Sequence, residues 1–408
     1  MVVAGDPSGD ASAAALIASL CPALAVSELP TRDDLQPLSG TFAPRVFGAG
    51  GPKLAQAGAD LAFDLTGDAV IGPADLLGKL RLLKLRFDEL TRLACERQPD
   101  LILLVDYGAF NWRLARAIRA RARAGESPFL NWRPKIVQYV SPQVWASRPG
   151  RADKMAKDLD LLLCLFPFEK EWYARRVPGM NVAWVGHPLI DRYSNNPAWL
   201  KRGVETDPPT ILIFPGSRTG ELKRHLPVML GAAQIIGQKT RAQFKMVVDS
   251  EKLASMARSF CSNANGASGL EIAVGGVGEA LSNATLAITK TGTITMECAL
   301  FGVPAVAIYK TSPVTYALGR YLTHVKFLSM PNLLANEAVF PEFIQHQATA
   351  EKIAASALEI LSDPKRRAAV KAKLESVAAS LGGPGATARA TEAIVKLMTD
   401  SGPRMLST

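Results

Sequence analysis

Histidine is scarce in this chain, with four residues in 408 (His187, His225, His324 and His346), which leaves little room for a His-rich metal site. The five cysteines (Cys21, Cys95, Cys164, Cys261 and Cys298) form no metal-like pairs. They read as reduced, mostly buried thiols of a cytosolic protein. No run of eighteen or more uncharged apolar residues occurs, so no transmembrane helix is expected. No GxGxxG follows a strand, and Walker A, GxSxG and HxE-with-CxxC patterns are missing. Rossmann dinucleotide, NTPase, hydrolase and deaminase readings are all weakened by this. The chain enters a strand at Val2-Val3-Ala4 with no basic n-region or signal-like h-region, which argues against export. That first strand looks clipped, and a few residues upstream are expected.

What is present is apolar and basic. Apolar residues make up 48%, ample for two domains of ~200 residues each. The net charge of +10 favours an anionic partner: nucleic acid, a phosphorylated ligand or an acidic membrane. Short apolar runs alternate with glycine turns and helical segments up to residue 190, a doubly wound α/β pattern. A polar stretch from Ser27 to Ala43 reads as a long loop, and Asn195 to Pro209 reads as a linker. Beyond it the pattern restarts at Thr210-Ile211-Leu212-Ile213-Phe214. Two such halves are expected to face a central cleft, a common home for a ligand.

The stretch from Leu286 to Tyr309 is the most informative. Leu286 to Ile288 is a buried-type strand, Lys290-Thr291-Gly292-Thr293 a turn, Thr293 to Phe301 a helix, and Ala305 to Tyr309 a second strand. Ligands of such units lie beyond the strand ends where the helix begins. Turn hydroxyls, backbone N–H groups and the helix dipole suit an anion such as a diphosphate, and Glu297 one turn later suits a ribose. The same residues also fit an ordinary capped helix with a solvated Glu.

Asp106 ends the strand run Leu101 to Val105, where a carboxylate serves either as a general base or as the cap of the next helix. Gly216-Ser217-Arg218 combines close backbone approach with a guanidinium fork for phosphate oxygens. From Asp75 to Cys95 a helix carries Leu76, Leu77, Leu80, Leu83 and Phe87 among Lys79, Arg81, Lys84 and Arg86. It fits an anionic membrane surface, or a core-facing helix with a charged outer face.

Taken in order, Ala4 to Asp10 (AGDPSGD), Asp106 to Asn111, Tyr139 to Ala146 (YVSPQVWA), Phe166 to Glu169, Gly186-His187-Pro188, Pro215 to Arg218, Thr291-Gly292-Thr293 with Glu297, Pro331-Asn332 and Pro341-Glu342 with Gln345 resemble one family. That family is the lipid-A-disaccharide synthases, inverting glycosyltransferases of the GT-B architecture. The likeness runs from about Val3 to at least Gln345. Departures are Asp6 where the family usually has Glu, Ala109 where it often has a second carboxylate, Thr291 for Ser, and Ser147 for Trp.

The resemblance implies an α/β GT-B fold with two Rossmann-like doubly wound domains. It places an acceptor and membrane-facing domain at 1–195 and a UDP-sugar domain at 205–384, with the helix 386–400 packing back onto the first. It implies transfer from UDP-2,3-diacylglucosamine to the 6-hydroxyl of 2,3-diacylglucosamine 1-phosphate (lipid X), giving a β-1,6 disaccharide phosphate and UDP. Asp106 is then the expected base. Gly216, Ser217, Arg218, Thr291, Gly292, Thr293, Glu297, Asn332 and Gln345 are expected on the UDP side, and Asp6, Ser8, Gly9 and Asn111 on the acceptor side. Leu76, Leu77, Lys79, Leu80, Arg81 and Lys84 become a docking face for the cytoplasmic leaflet of the inner membrane. His187 stays a residue that shapes the domain junction. No metal, cofactor or nucleic acid is expected, and a homodimer is left open. The alternatives are a related GT-B enzyme with another acceptor, a UDP-GlcNAc 2-epimerase, for which no second acid/base pair is identified, and a basic nucleic-acid-binding module. The last would need aromatic platforms among its basic residues, and aromatics make up only 7%.

Overall fold

The computed structural model of the chain describes residues 1–27, 43–66, 76–125, 132–194, 206–263, 269–322 and 325–400, with only the backbone described at 76–80, 263, 314, 318 and 322. The chain divides into two compact units, Met1–Pro188 with Gly383–Thr408, and Leu189–Gly382. Each unit is built on one parallel sheet.

The sheet of the first unit has seven strands: β1 (Val2–Ala4), β2 (Phe47–Gly50), β3 (Asp60–Asp64), β4 (Leu101–Val105), β5 (Lys135–Tyr139), β6 (Leu161–Cys164) and β7 (Val182–Trp184). Their order is β3-β2-β1-β4-β5-β6-β7, with every pairing parallel. Parallel strands covered by helices on both faces read as unbroken apolar runs, as Leu101–Val105 and Leu161–Cys164 do. Ile102, Leu104, Ile136 and Leu162 lie fully buried in the core beneath the helices Gly108–Ala124 and Leu76–Arg97. Val2 pairs with Gly48 on one side and Leu103 on the other, so the winding reverses direction at β1. The helix Ala386–Thr399 belongs to this unit and lies on the helix Pro7–Val26, where Thr391 Oγ1 donates to Ser19 Oγ at 2.9 Å.

The second sheet has β8 (Thr210–Phe214), β9 (Gln243–Val248), β10 (Leu270–Val274), β11 (Leu286–Lys290), β12 (Ala305–Tyr309) and β13 (Glu342–Ile344), in the order β10-β9-β8-β11-β12-β13. Again every pairing is parallel. The reversal falls between β8 and β11, and Ile211, Ile213, Leu286, Ile288, Val306 and Ile308 form the centre of its core. In doubly wound sheets the crevice at such a reversal, outside the carboxyl ends of the strands, is the usual ligand site.

Several element bounds differ from the sequence reading. The first helix runs from Pro7 to Val26 rather than Ala11 to Leu20, because Asp6 caps it and Pro7 takes the first helical position, where its missing N–H costs nothing. Among the described residues it is the one helix long and apolar enough to cross a membrane. It nevertheless buries Ala13, Leu16, Ile17 and Leu20 in the fold, and its Asp10 side chain accepts from the backbone N–H groups of Gly51, Lys53 and Leu54. Of the five cysteines only Cys164 and Cys298 are buried; the other three are partly exposed. Most of the expected loop at Ser27–Ala43 and most of the expected linker fall outside the described residues.

Candidate functional site

At the reversal of the first sheet, β1 runs into Gly5-Asp6 and β4 into Asp106. Asp106 and Tyr107 both have positive φ, 50° and 45°, a pair of left-handed residues that only surrounding structure can hold. Three groups hold them. The Asp106 N–H donates to Tyr139 O at 2.8 Å. Asn111 Nδ2 donates to Asp106 O at 2.9 Å and to Val105 O at 3.2 Å, and Gln138 Nε2 donates to Asp106 O at 3.0 Å. Both amides are buried. The backbone of Gly9 passes so close that a Cβ there would sit 3.3 Å from Asp106 Cβ and 3.4 Å from Asp6 Oδ1.

Asp106 itself stays partly exposed. Burial, and next the nearby Asp6 charge, push its carboxyl up to about 6, against the lowering pull of the Tyr107 backbone N–H. A carboxylate that titrates near 6 is mostly ionised at neutral pH yet more basic than an ordinary Asp, the balance a general base needs. Asp6 spends Oδ1 on Gly9 N at 2.7 Å, so it caps the helix and adds negative potential, while Ser8 is exposed beside it.

Glu169, beyond the end of β6, is raised further, to about 7, chiefly by burial. Its carboxylate accepts from Leu165 N at 3.2 Å, Phe166 N at 3.1 Å and Trp145 Nε1 at 3.1 Å, and the residue is 1% exposed. It has no surface to offer a substrate. The bond does explain why the motifs around Trp145 and Glu169 occur together: they are two ends of one contact. His187 is buried against the Phe166 ring, with centroids 5.6 Å apart.

At the reversal of the second sheet, β8 leads into Gly216-Ser217-Arg218 and β11 into Thr291-Gly292-Thr293. Gly216 and Gly292 have φ of 121° and 150°, conformations that glycine alone adopts freely. Ser217, Arg218, Gly292 and Thr293 are exposed, and Thr291 is buried. Glu221, in the first turn of the helix Thr219–Lys239, accepts from Ser217 N at 3.1 Å and from Lys290 Nζ at 3.1 Å, with Arg218 Nη1 at 3.8 Å. His225 braces the turn from beneath. The backbone N–H of Lys310 donates to its Nε2 at 3.0 Å, so Nδ1 carries the proton and donates to Pro215 O at 2.9 Å. Burial lowers its pKa and keeps it neutral.

Four expected ligand residues have their side chains engaged by the protein. Asn332 is fully buried, accepting from Phe340 N at 2.8 Å and donating to Phe340 O at 2.7 Å and Glu342 Oε1 at 2.8 Å. Its amide orders the approach to β13, since every polar atom it has is used. Gln345, at φ 53°, has its amide on both backbone groups of Thr311, at 2.9 and 3.1 Å. Asn111 is buried beneath the Asp106 turn, so it positions that turn and presents nothing to an acceptor. Glu297 is not solvated: it is buried, accepting from Tyr193 Oη at 2.7 Å, with Arg192 Nη1 at 3.7 Å. Burial raises its carboxyl, opposed by those two partners.

Of the docking-face residues, the side chains of Leu76, Leu77, Lys79 and Leu80 lie outside the described set; Arg81 and Lys84 are exposed, as is Leu85. The same helix turns Leu90 and Ala94 inward and sets Phe87 edge-on to Phe110, with centroids 5.7 Å apart. Among the described residues, no group of three or more His, Cys, Asp or Glu is placed to hold a metal ion.

Sequence reasoning missed Gln138, Glu221, Lys290 and His225 as parts of these sites. Glu221 had a signal, an acid at the third position of a helix following a polar turn. For Gln138 and His225 there was none, because their partners are backbone groups brought near only by strand order.

A family model described as lipid-A-disaccharide synthetase matches residues 1–395 of this chain. Lipid-A-disaccharide synthase of Geobacter metallireducens is 34% identical over 405 residues, covering 98% of this chain and 97% of that protein. The enzyme of Syntrophus aciditrophicus is 34% identical over 406 residues, 98% of each. Among solved structures, a putative UDP-N-acetylglucosamine 2-epimerase from Listeria monocytogenes superposes with a TM-score of 0.60 at 13% identity, covering 100% of this chain and 98% of that one. The calicheamicin glycosyltransferase CalG4 gives 0.57 at 14% identity, over 98% of both. At such identities the two structures speak for the fold alone.

Proposed function

Because the chain belongs to the lipid-A-disaccharide synthetase family, UDP-sugar-dependent glycosyltransferases of GT-B fold, we propose that it transfers 2,3-diacylglucosamine from its UDP derivative to the 6-hydroxyl of 2,3-diacylglucosamine 1-phosphate, with Asp106 as the base. The acceptor hydroxyl gives its proton to the Asp106 carboxylate as its oxygen attacks the anomeric carbon. The bond to the diphosphate breaks on the opposite face, and inversion leaves a β-1,6 link and UDP. Charge that develops on the leaving diphosphate meets Arg218, the backbone at Gly216-Ser217 and the helix N-terminus at Thr293. Glu297, held by Tyr193, faces the ribose, and Asn332 and Gln345 act through the backbone they fasten. Asp6, Ser8 and Gly9 line the acceptor side. The observation that carries this reading is Asp106: a partly exposed carboxyl raised to about 6, on a braced left-handed turn at the sheet's reversal.

The test is product formation by purified protein in detergent, from the two substrates, with EDTA present. UDP and a disaccharide phosphate are expected, and Asp106→Ala should abolish both. UDP binding without product from this acceptor would overturn the substrate assignment and leave the donor site standing. We further propose that the enzyme works at the cytoplasmic face of the inner membrane, with the basic helix Leu76–Arg97 against the lipid.

A further inference from the structure

We propose that Lys290 is a diphosphate-binding residue of the donor site, held at the site by Glu221 until the donor arrives. The inference rests on the reading of the second unit as the UDP-sugar site. Lys290 closes β11, an otherwise uncharged strand whose four preceding residues are buried. Its side chain is only 18% exposed. The ammonium sits between two glycine turns. Toward one, it donates to Glu221 Oε1 at 3.1 Å, and the other oxygen of that carboxylate accepts from Ser217 N. Toward the other, a Cβ placed on Gly292 would lie 3.1 Å from Lys290 Nζ. A lysine drawn this close under a glycine puts a full positive charge beside the exposed start of the helix Thr293–Leu300.

Glu221 engages the same groups that a diphosphate would: the Ser217 N–H, the Lys290 ammonium and, more loosely, the Arg218 guanidinium. One carboxylate bears one charge, whereas a diphosphate bears more and offers several acceptor oxygens. Lys290 and Arg218 therefore gain by sharing or exchanging Glu221 for the ligand, and the lysine needs only a rotation of its end to do so. This assigns the two cations distinct tasks. Arg218, half exposed, captures the ligand from solvent. Lys290, at the inner end of the cradle, neutralises the departing phosphate where screening by water is weakest.

The experiment is calorimetric titration of the full chain with uridine and with UDP, for wild type, Lys290→Met, Lys290→Arg and Glu221→Gln. Wild type should prefer UDP strongly over uridine. Lys290→Met should lose about tenfold or more of that preference, as expected for one partly desolvated charge-assisted contact, while uridine affinity stays unchanged. Lys290→Arg should retain most of the preference. Glu221→Gln keeps an acceptor for Ser217 but removes the competing charge, so UDP should bind several-fold tighter. Equal UDP preference in Lys290→Met and wild type, with uridine binding intact, would overturn the assignment of Lys290. A wild type that shows no preference for UDP would instead overturn the donor-site reading on which it rests.

Discussion

In the first sheet the reversal lies between β1 and β4 and carries Asp6 and Asp106; in the second it lies between β8 and β11 and carries Arg218 and Lys290. The strand order around the two reversals is alike, yet one accumulates negative charge and the other positive. The backbones differ accordingly. Around Asp106 two buried amides hold non-glycine residues at positive φ, so the turn is fixed, while burial and the nearby Asp6 charge raise the carboxyl's pKa. At Gly216 and Gly292 the positive φ falls on glycine, which leaves room for an anion to approach backbone N–H groups. A doubly wound sheet supplies a place for chemistry at its reversal, and on the proposed reading the residues after each strand decide whether that place takes a proton or holds a phosphate.

The sharpest way to break this contrast is Asp106→Asn. It should lower kcat by about a thousandfold, within the range for a lost general base, with UDP affinity unchanged by titration. A loss of UDP binding instead would mean that the two sites are not functionally separate. In the wild type the acid limb of kcat/KM against pH should lie near 6, since Asp106 as the proposed base must be ionised to accept a proton. Arg218→Met should do the reverse, raising the donor KM roughly tenfold and leaving that limb in place.

Gln138→Leu tests whether the brace matters to chemistry or only to folding. We expect kcat to fall by about tenfold with both KM values little changed, because a base displaced from its productive geometry loses rate more than binding. Gln138→Asn should recover part of it. Unaltered kcat together with a lower melting temperature would assign Gln138 to stability alone.

A smaller effect concerns stability itself. Asp106 has a folded pKa above its ordinary value, so its ionised form costs stability above the folded pKa, and the cost disappears as pH falls through about 6 toward the unfolded value. Asp106→Asn should therefore stabilise the fold at neutral pH by on the order of 2 kcal/mol, with the gain closing under acid; thermal melts across that range would show it. Least in size, Leu76→Ser with Leu80→Ser should move the protein from membranes to the soluble fraction while activity in detergent persists. Unchanged partition would remove the docking role from that helix.

Much of the fold was legible because parallel strands covered on both faces must be apolar throughout, and runs such as Leu101–Val105 and Ala305–Tyr309 announce themselves. Glycine turns marked where strands ended. The positions of Asp106, Arg218 and the Thr291-Gly292-Thr293 turn beyond buried strands were legible for the same reason, since the apolar runs mark where those strands end. Asn332 and Gln345 show where that reasoning stops. Both occur in family motifs and both looked like ligand contacts, yet their amides are used on Phe340, Glu342 and Thr311. Periodicity and motif order report where a residue stands along the chain, but not which backbone groups will need a partner when distant segments meet.

The sequence by itself determined the two parallel α/β units, the family and the residue types at the strand ends, because these follow from local apolar runs, turns and motif order. Only the tertiary structure decided that Glu169 is a buried brace while Asp106 is a partly exposed carboxyl titrating near 6, and that Lys290 and Glu221 form a pair between two turns. Burial, charge proximity and hydrogen-bond satisfaction depend on which strands become neighbours, and in these sheets the neighbours at each reversal come from segments far apart in the chain.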